Sequence, residues 1–165
     1  MLIETFLEWR GATPLAISIS ALVALWAVVS ARDLARKRNA IDLVIQTHRD
    51  DRFIKGIDMI RKIHHDETEE INRYAYPERA EDEKAASIRY ILNFMEHMSI
   101  GIFNGTYDEK IIKETMCSFV VNTWGFVEPY VKQRRSLIGS VTAFAEVEKL
   151  AGRWRKKPLK PRQTK

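Results

Sequence analysis

The densest polar chemistry of the chain lies in His64-His65-Asp66-Glu67-Thr68-Glu69-Glu70. On a helix, His65 and Glu69 would stand one turn apart and could share a metal ion. A helix-borne metal site, however, usually draws a second ligand pair from a facing helix. The other acid–imidazole pair, Glu96 and His97, lacks the Glu-x-x-His spacing of di-iron carboxylate bundles. The stretch therefore reads as a charged helix end in solvent, and neither a metal nor a cofactor is expected.

Glu96 and His97 interrupt an apolar run between Ile91 and Ile102. Glu96 borders the apolar stripe, so its carboxylate needs a partner, with Arg134 or Arg135 of a later helix as the expected ones. A structural ion pair is the reading. The alternative is a membrane-bound enzyme, metal-dependent or not, with its site near Glu96 and His97. The chain has no Gly-x-Ser-x-Gly, no Ser/His/Asp arrangement and no phosphate-binding glycine loop. Its single cysteine, Cys117, sits among Met116, Phe119 and Val120 and reads as a small buried hydrophobe. It excludes an internal disulfide and leaves no cysteine pair for zinc. No catalytic residue is assigned, and a non-enzymatic role is the expectation.

The elements around these residues follow from hydropathy. Gly11 to Ala31 is a run of 21 residues without a charge, long enough as a helix to cross a bilayer core of roughly 30 Å. Pro14 falls in its first turn, where a missing N–H does least harm, and Trp9 and Trp26 fit positions at or near the interfaces. A cleaved signal peptide competes, because Val29 and Ala31 suit a cleavage site. Against it, Glu4 and Glu8 offset Arg10 ahead of the run, and Arg32, Arg36, Lys37 and Arg38 follow at once. Basic residues behind an apolar run hold that side in the cytoplasm. The expected organisation is a short extracytoplasmic segment, 1–10; a transmembrane helix, 11–31; a cytoplasmic helical domain, 32–152; and a basic disordered tail, 153–165. The expected address is a bacterial inner (plasma) membrane, crossed once, with the N-terminus outside and the C-terminus in the cytoplasm.

Charge is unevenly spread. The net charge is +5, and the last thirteen residues alone carry +7, from Arg153, Arg155, Lys156, Lys157, Lys160, Arg162 and Lys165. Nucleic acid is not expected, since only Trp154 interleaves these cations with an aromatic. Anionic lipid headgroups are the nearer counter-charge. The lipid-facing basic patch is therefore expected from Arg32, Arg36, Lys37, Arg38, Arg153, Arg155, Lys156, Lys157 and Lys160. Ala12, Ala16, Ser20 and Ala24 recur every four residues along the span. Such a stripe lets helix backbones approach closely, so a homo-oligomer or a membrane-protein partner could pack there.

Beyond the span, Leu34, Ile41, Val44, Ile45 and His48 keep helical spacing. Asp50 or Asp51 is expected to cap a helix with Phe53, Ile54, Ile57, Ile60 and Ile63 on one face. Tyr74, Tyr76 and Pro77 mark a break, and Glu78–Lys84 reads as a loop or solvated first helical turn. Ile88, Ile91, Leu92, Met95, Ser99 and Ile102 form the clearest stripe, closed by Asn104-Gly105. Thr106 and Glu109 have capping-box spacing for a helix carrying Ile112, Met116, Phe119, Val120 and Thr123. Trp124-Gly125 and Pro129 are expected to bend or end it, and Val141–Trp154 is a last amphipathic stretch. No run of alternating strand residues appears. The fold class expected is all-α: one N-terminal transmembrane helix followed by a small antiparallel helical bundle.

The segment Leu92-Asn93-Phe94-Met95-Glu96, followed by Gly101-Ile102-Phe103-Asn104-Gly105-Thr106-Tyr107-Asp108-Glu109, resembles the signature of domain-of-unknown-function family 4760. Trp124, Pro129-Tyr130 and Arg134-Arg135 continue the likeness, which covers roughly residues 10–136. The resemblance implies a bacterial or phage source, one N-terminal membrane helix and a helical domain. It brings no established activity and no catalytic residues. The function expected is a membrane-tethered helical interaction module; an obligate subunit of a larger membrane complex is a further alternative. One version of the module, a phage or prophage product acting at the host membrane, rests on the family resemblance alone.

Overall fold

The structure is a computed structural model that describes residues 2–159, with side chains from Pro14 onward except that of Leu15. Every regular element is helical among these residues. The order is α1 (Leu2–Arg49), α2 (Asp51–His65), two 3-10 segments (Ile71–Ala75 and Pro77–Arg79), α3 (Glu83–Phe103), α4 (Glu109–Ile138) and α5 (Ala145–Lys156). The chain is all-α, with a long apolar N-terminal helix and a small helical bundle behind it. It divides into two compact units, residues 1–38 and residues 39–165.

In the first unit, the side chains from Ala16 to Ala31 are all exposed and uncharged. By length and composition, this helix can cross a membrane. Pro14 does not fall in the first turn, because α1 already begins at Leu2 and the proline lies inside the helix; its carbonyl accepts the Ser18 hydroxyl at 2.9 Å. Past the uncharged run, Lys37 pairs with Asp33 one turn before it at 2.6 Å.

The second unit begins in the last turns of α1. Asp50 breaks the helix and caps α2, its carboxylate accepting the N–H groups of Arg52 at 2.9 Å and Phe53 at 3.2 Å. The Tyr90 hydroxyl of α3 donates to the same carboxylate and holds it below the usual aspartate range. Phe53, Ile60 and Ile63 of α2 are buried, whereas Ile54 stays exposed. Gly56 brings the two helices together: a Cβ there would lie 2.8 Å from Ile91 Cγ1. Asp82 caps α3 through Lys84 N–H at 2.8 Å. The face of α3 carrying Ile88, Ile91, Leu92, Met95, Met98 and Ile102 is the centre of the core. The first 3-10 segment, Ile71–Ala75, lies on α4, and α5 packs across α3 and α4.

Two expectations about element ends are corrected. Pro129 does not end α4, which continues to Ile138 and stops at Gly139, φ +64°. Its buried residues Val127, Tyr130 and Val131 flank the proline and hold the helix through it. The basic tail also does not start at Arg153. Residues 153–156 belong to α5, because Trp154 is buried at 1% exposure among α3 and α4 side chains. Residues 160–165 lie outside the described residues.

Candidate functional site

The turn joining α3 to α4 has the chain's strongest local signature. Its backbone closes as a Schellman motif: Thr106 N–H donates to Gly101 O at 2.8 Å and Gly105 N–H to Ile102 O at 3.1 Å. Gly105 takes φ +71°, the left-handed conformation such a closure requires. Gly101 serves a different purpose. The Tyr107 ring lies so close over it that a Cβ would sit 2.3 Å from the ring carbons.

The expected capping box is replaced by another arrangement. The N-cap of α4 is Asp108, whose carboxylate accepts Ile111 N–H at 3.1 Å. Glu109 does not reach back to Thr106. Its carboxylate accepts Trp154 Nε1–H at 2.8 Å and pairs with the Arg153 guanidinium at 2.9 Å. Glu96 is likewise not paired with Arg134 or Arg135. Its two oxygens accept the backbone N–H groups of Glu146, at 3.3 Å, and Val147, at 2.8 Å, at the start of α5. Phe144, the N-cap residue, has φ +59° and no capping side chain, so Glu96 supplies the cap from α3. Arg134 donates to Ala75 O at 3.3 Å, and Arg135 to Ala143 O at 2.9 Å. His97 is exposed, its Nδ1 2.8 Å from Asn93 O.

The His64–Glu70 stretch does not gather a metal site either. Helix α2 ends at His65, so Glu69 is not one helical turn from it. No group of three His, Cys, Asp or Glu side chains suited to a metal ion occurs among the described residues. Glu69 instead accepts the Tyr74 hydroxyl at 2.8 Å and the Lys84 ammonium. Those donors, Lys84 above all, hold its carboxyl below the usual glutamate range. Lys84 is raised in turn, chiefly by Glu69, and burial followed by Glu69 raises Tyr74. The cluster ties the loop to α3.

This stretch does wall a cleft of about 360 Å³. Ile63 and His64 form one side, Glu69, Glu70, Ile71 and Asn72 another, and Gly125, Phe126 and Pro129 of α4 the third. The His64 and Phe126 rings stack with centroids 3.9 Å apart and planes 24° apart. Sequence reasoning misses this site, since it takes Gly125 and Pro129 as a bend or end of the helix. The signal was their i, i+4 spacing, which removes a helical hydrogen bond and a covering side chain at one place.

The remaining expected site residues differ in exposure. Arg32, Arg36, Lys37 and Arg38 are exposed on α1. Arg155, Lys156 and Lys157 are exposed at the end of α5, whereas Arg153 is engaged by Glu109 and lies over the Phe103 ring at 4.7 Å. Ala16, Ser20 and Ala24 are exposed along α1. The Ala12 side chain and Lys160 lie outside the described residues.

A family model described as a domain of unknown function, DUF4760, matches residues 14–154. No curated protein and no solved structure matches the chain.

Proposed function

The chain belongs to the DUF4760 family, and from that premise we propose that it is a membrane-tethered interaction module. Helix α1 anchors it in a bilayer, and the bundle of residues 39–165 meets a partner at the membrane surface. The observation that carries this reading is the uncharged run from Ala16 to Ala31, exposed at every described side chain, a surface that water would not tolerate. Arg32, Arg36, Lys37 and Arg38 directly behind it favour a cytoplasmic bundle and an external N-terminus. The proposed address is the bacterial plasma membrane, in a bacterial or phage-derived protein.

The alternative of an enzyme centred on Glu96 and His97 draws little support, since both Glu96 oxygens are occupied by the amides of α5. Association through Ala16, Ser20 and Ala24 remains compatible with the tether and would make the chain a subunit of a membrane complex.

The test is topological. Thr5→Cys and Ser136→Cys, each placed in a Cys117→Ser background, are treated in intact cells with a membrane-impermeant maleimide. The reading expects labelling at position 5 and none at position 136 until the membrane is opened. The reverse pattern would overturn the orientation, and recovery of the full chain in the soluble fraction would overturn the tether.

A further inference from the structure

We propose that the cleft between the end of α2 and the Gly125–Pro129 turn of α4 binds a guanidinium group. The cleft wall is rich in acceptors. Pro129 has no N–H, so the helical ladder of α4 offers no donor to the carbonyl of Gly125. Gly125 also leaves the cleft wall open, since a Cβ built there would meet nothing within 4 Å. Glu70 is exposed and makes no side-chain hydrogen bond or ion pair. Glu69 uses Oε1 for Tyr74 and Lys84, leaving Oε2 over. Asn72 Oδ1 is a buried acceptor without a hydrogen-bond partner.

The shape of the cleft selects among cationic donors. His64 and Phe126, stacked 3.9 Å apart at a shallow angle, both line the cleft with the carboxylates, and each ring keeps one face for a further stacking partner. A guanidinium is planar, stacks on such a face, carries five donors and sheds water more readily than an ammonium. Its fork can reach a carboxylate while a remaining N–H reaches a carbonyl. The nearby Lys84 does not compete, because Glu69 holds it. The group could be carried by an arginine of a protein partner or by a small guanidino compound, and the chemistry of the cleft is the same for both.

This inference names a ligand chemistry for the module proposed above. It is tested with a small probe on the full chain in detergent micelles, so its failure would remove the cleft and leave tether and topology standing. Binding of n-butylguanidinium, n-butylammonium and n-butylurea is followed by saturation-transfer NMR. The guanidinium should bind about tenfold more tightly than the urea, which keeps the shape and loses the charge. Glu70→Gln and Gly125→Leu should each weaken it about fivefold or more. Gly125→Leu fills the cleft from a helical site with open space, so it does not threaten folding. Comparison with an Ala-Arg-Ala peptide then identifies the source: tighter binding by the peptide assigns the site to a protein partner, and equal binding to a small molecule. Equal binding of butylguanidinium and either butylurea or butylammonium would overturn the proposal, as would equal binding by the parent and Gly125→Leu.

Discussion

The Glu96 carboxylate on α3 accepts the backbone N–H of Val147 at 2.8 Å, so the first turn of α5 is capped by a side chain fifty-one residues away in sequence. Removing it leaves two amides at the start of α5 without that acceptor. Glu96→Ala should therefore cost about 1–2 kcal/mol, the range of a lost cap. Glu96→Gln should cost less, since the amide oxygen can still accept one bond. Thermal melts give the totals, and amide exchange locates the effect: the Val147 amide should exchange faster in the Ala variant. Unchanged exchange there would mean the cap contributes nothing.

At the α3–α4 turn, stability should respond to Asp108 and not to Thr106. Asp108→Ala removes the acceptor for Ile111 N–H and should cost about 1 kcal/mol. Thr106→Ala should melt like the parent, because its side chain is exposed and is not the cap of α4. Gly105→Val should be worse than Asp108→Ala, since a β-branched residue fits poorly at φ +71°. A melt ranking with Thr106→Ala as the worst of the three would restore the capping box.

Trp154→Ala should destabilise the bundle by about 3–5 kcal/mol, the usual loss for a large buried aromatic. It also leaves Glu109 without one of its two partners. Neutral substitutions at the exposed Arg155, Lys156 and Lys157 should leave the melt unchanged. If Trp154→Ala also melts like the parent, α5 is not part of the core.

The Glu69–Lys84–Tyr74 cluster predicts a pH dependence. Glu69 is held below its ordinary value of 4.5 in the folded chain, so its contribution is full above that value. It is lost as pH falls through the lower folded value. The stability difference between the parent and Glu69→Gln should be constant from pH 7 down to about pH 5 and then shrink with further acid. Denaturant melts at several pH values measure it. A difference that grows in acid would contradict the geometry.

Legibility in the sequence varied with the range of the interaction. Asp50 as a cap, the α3 stripe ending at Asn104-Gly105 and the exposed run from Ala16 to Ala31 all follow from local spacing, and the structure contains them. The need of Glu96 for a partner is legible, but its partners are the amides of Glu146 and Val147 and not Arg134 or Arg135. A carboxylate beside an apolar stripe announces a need without saying whether arginine or bare backbone N–H groups will meet it. The same holds for Glu109, whose partners Trp154 and Arg153 lie on α5. Trp154 falls at the end of the amphipathic stretch and also in the basic tail 153–165, and the tail boundary follows charge composition where the large apolar ring belongs to α5. The cleft was illegible because its walls come from three segments brought together only by packing.

Gly101 and Tyr107 amount to one evolutionary choice. With the aromatic ring seated where a Cβ would be, a substitution at either position changes what the other can be. An alanine at 101 demands that the ring move away, while a smaller residue at 107 leaves a hole that a side chain at 101 could fill. Among relatives of this chain the two positions should therefore vary as a pair, and a protein carrying a side chain at the first should lack the tyrosine at the second.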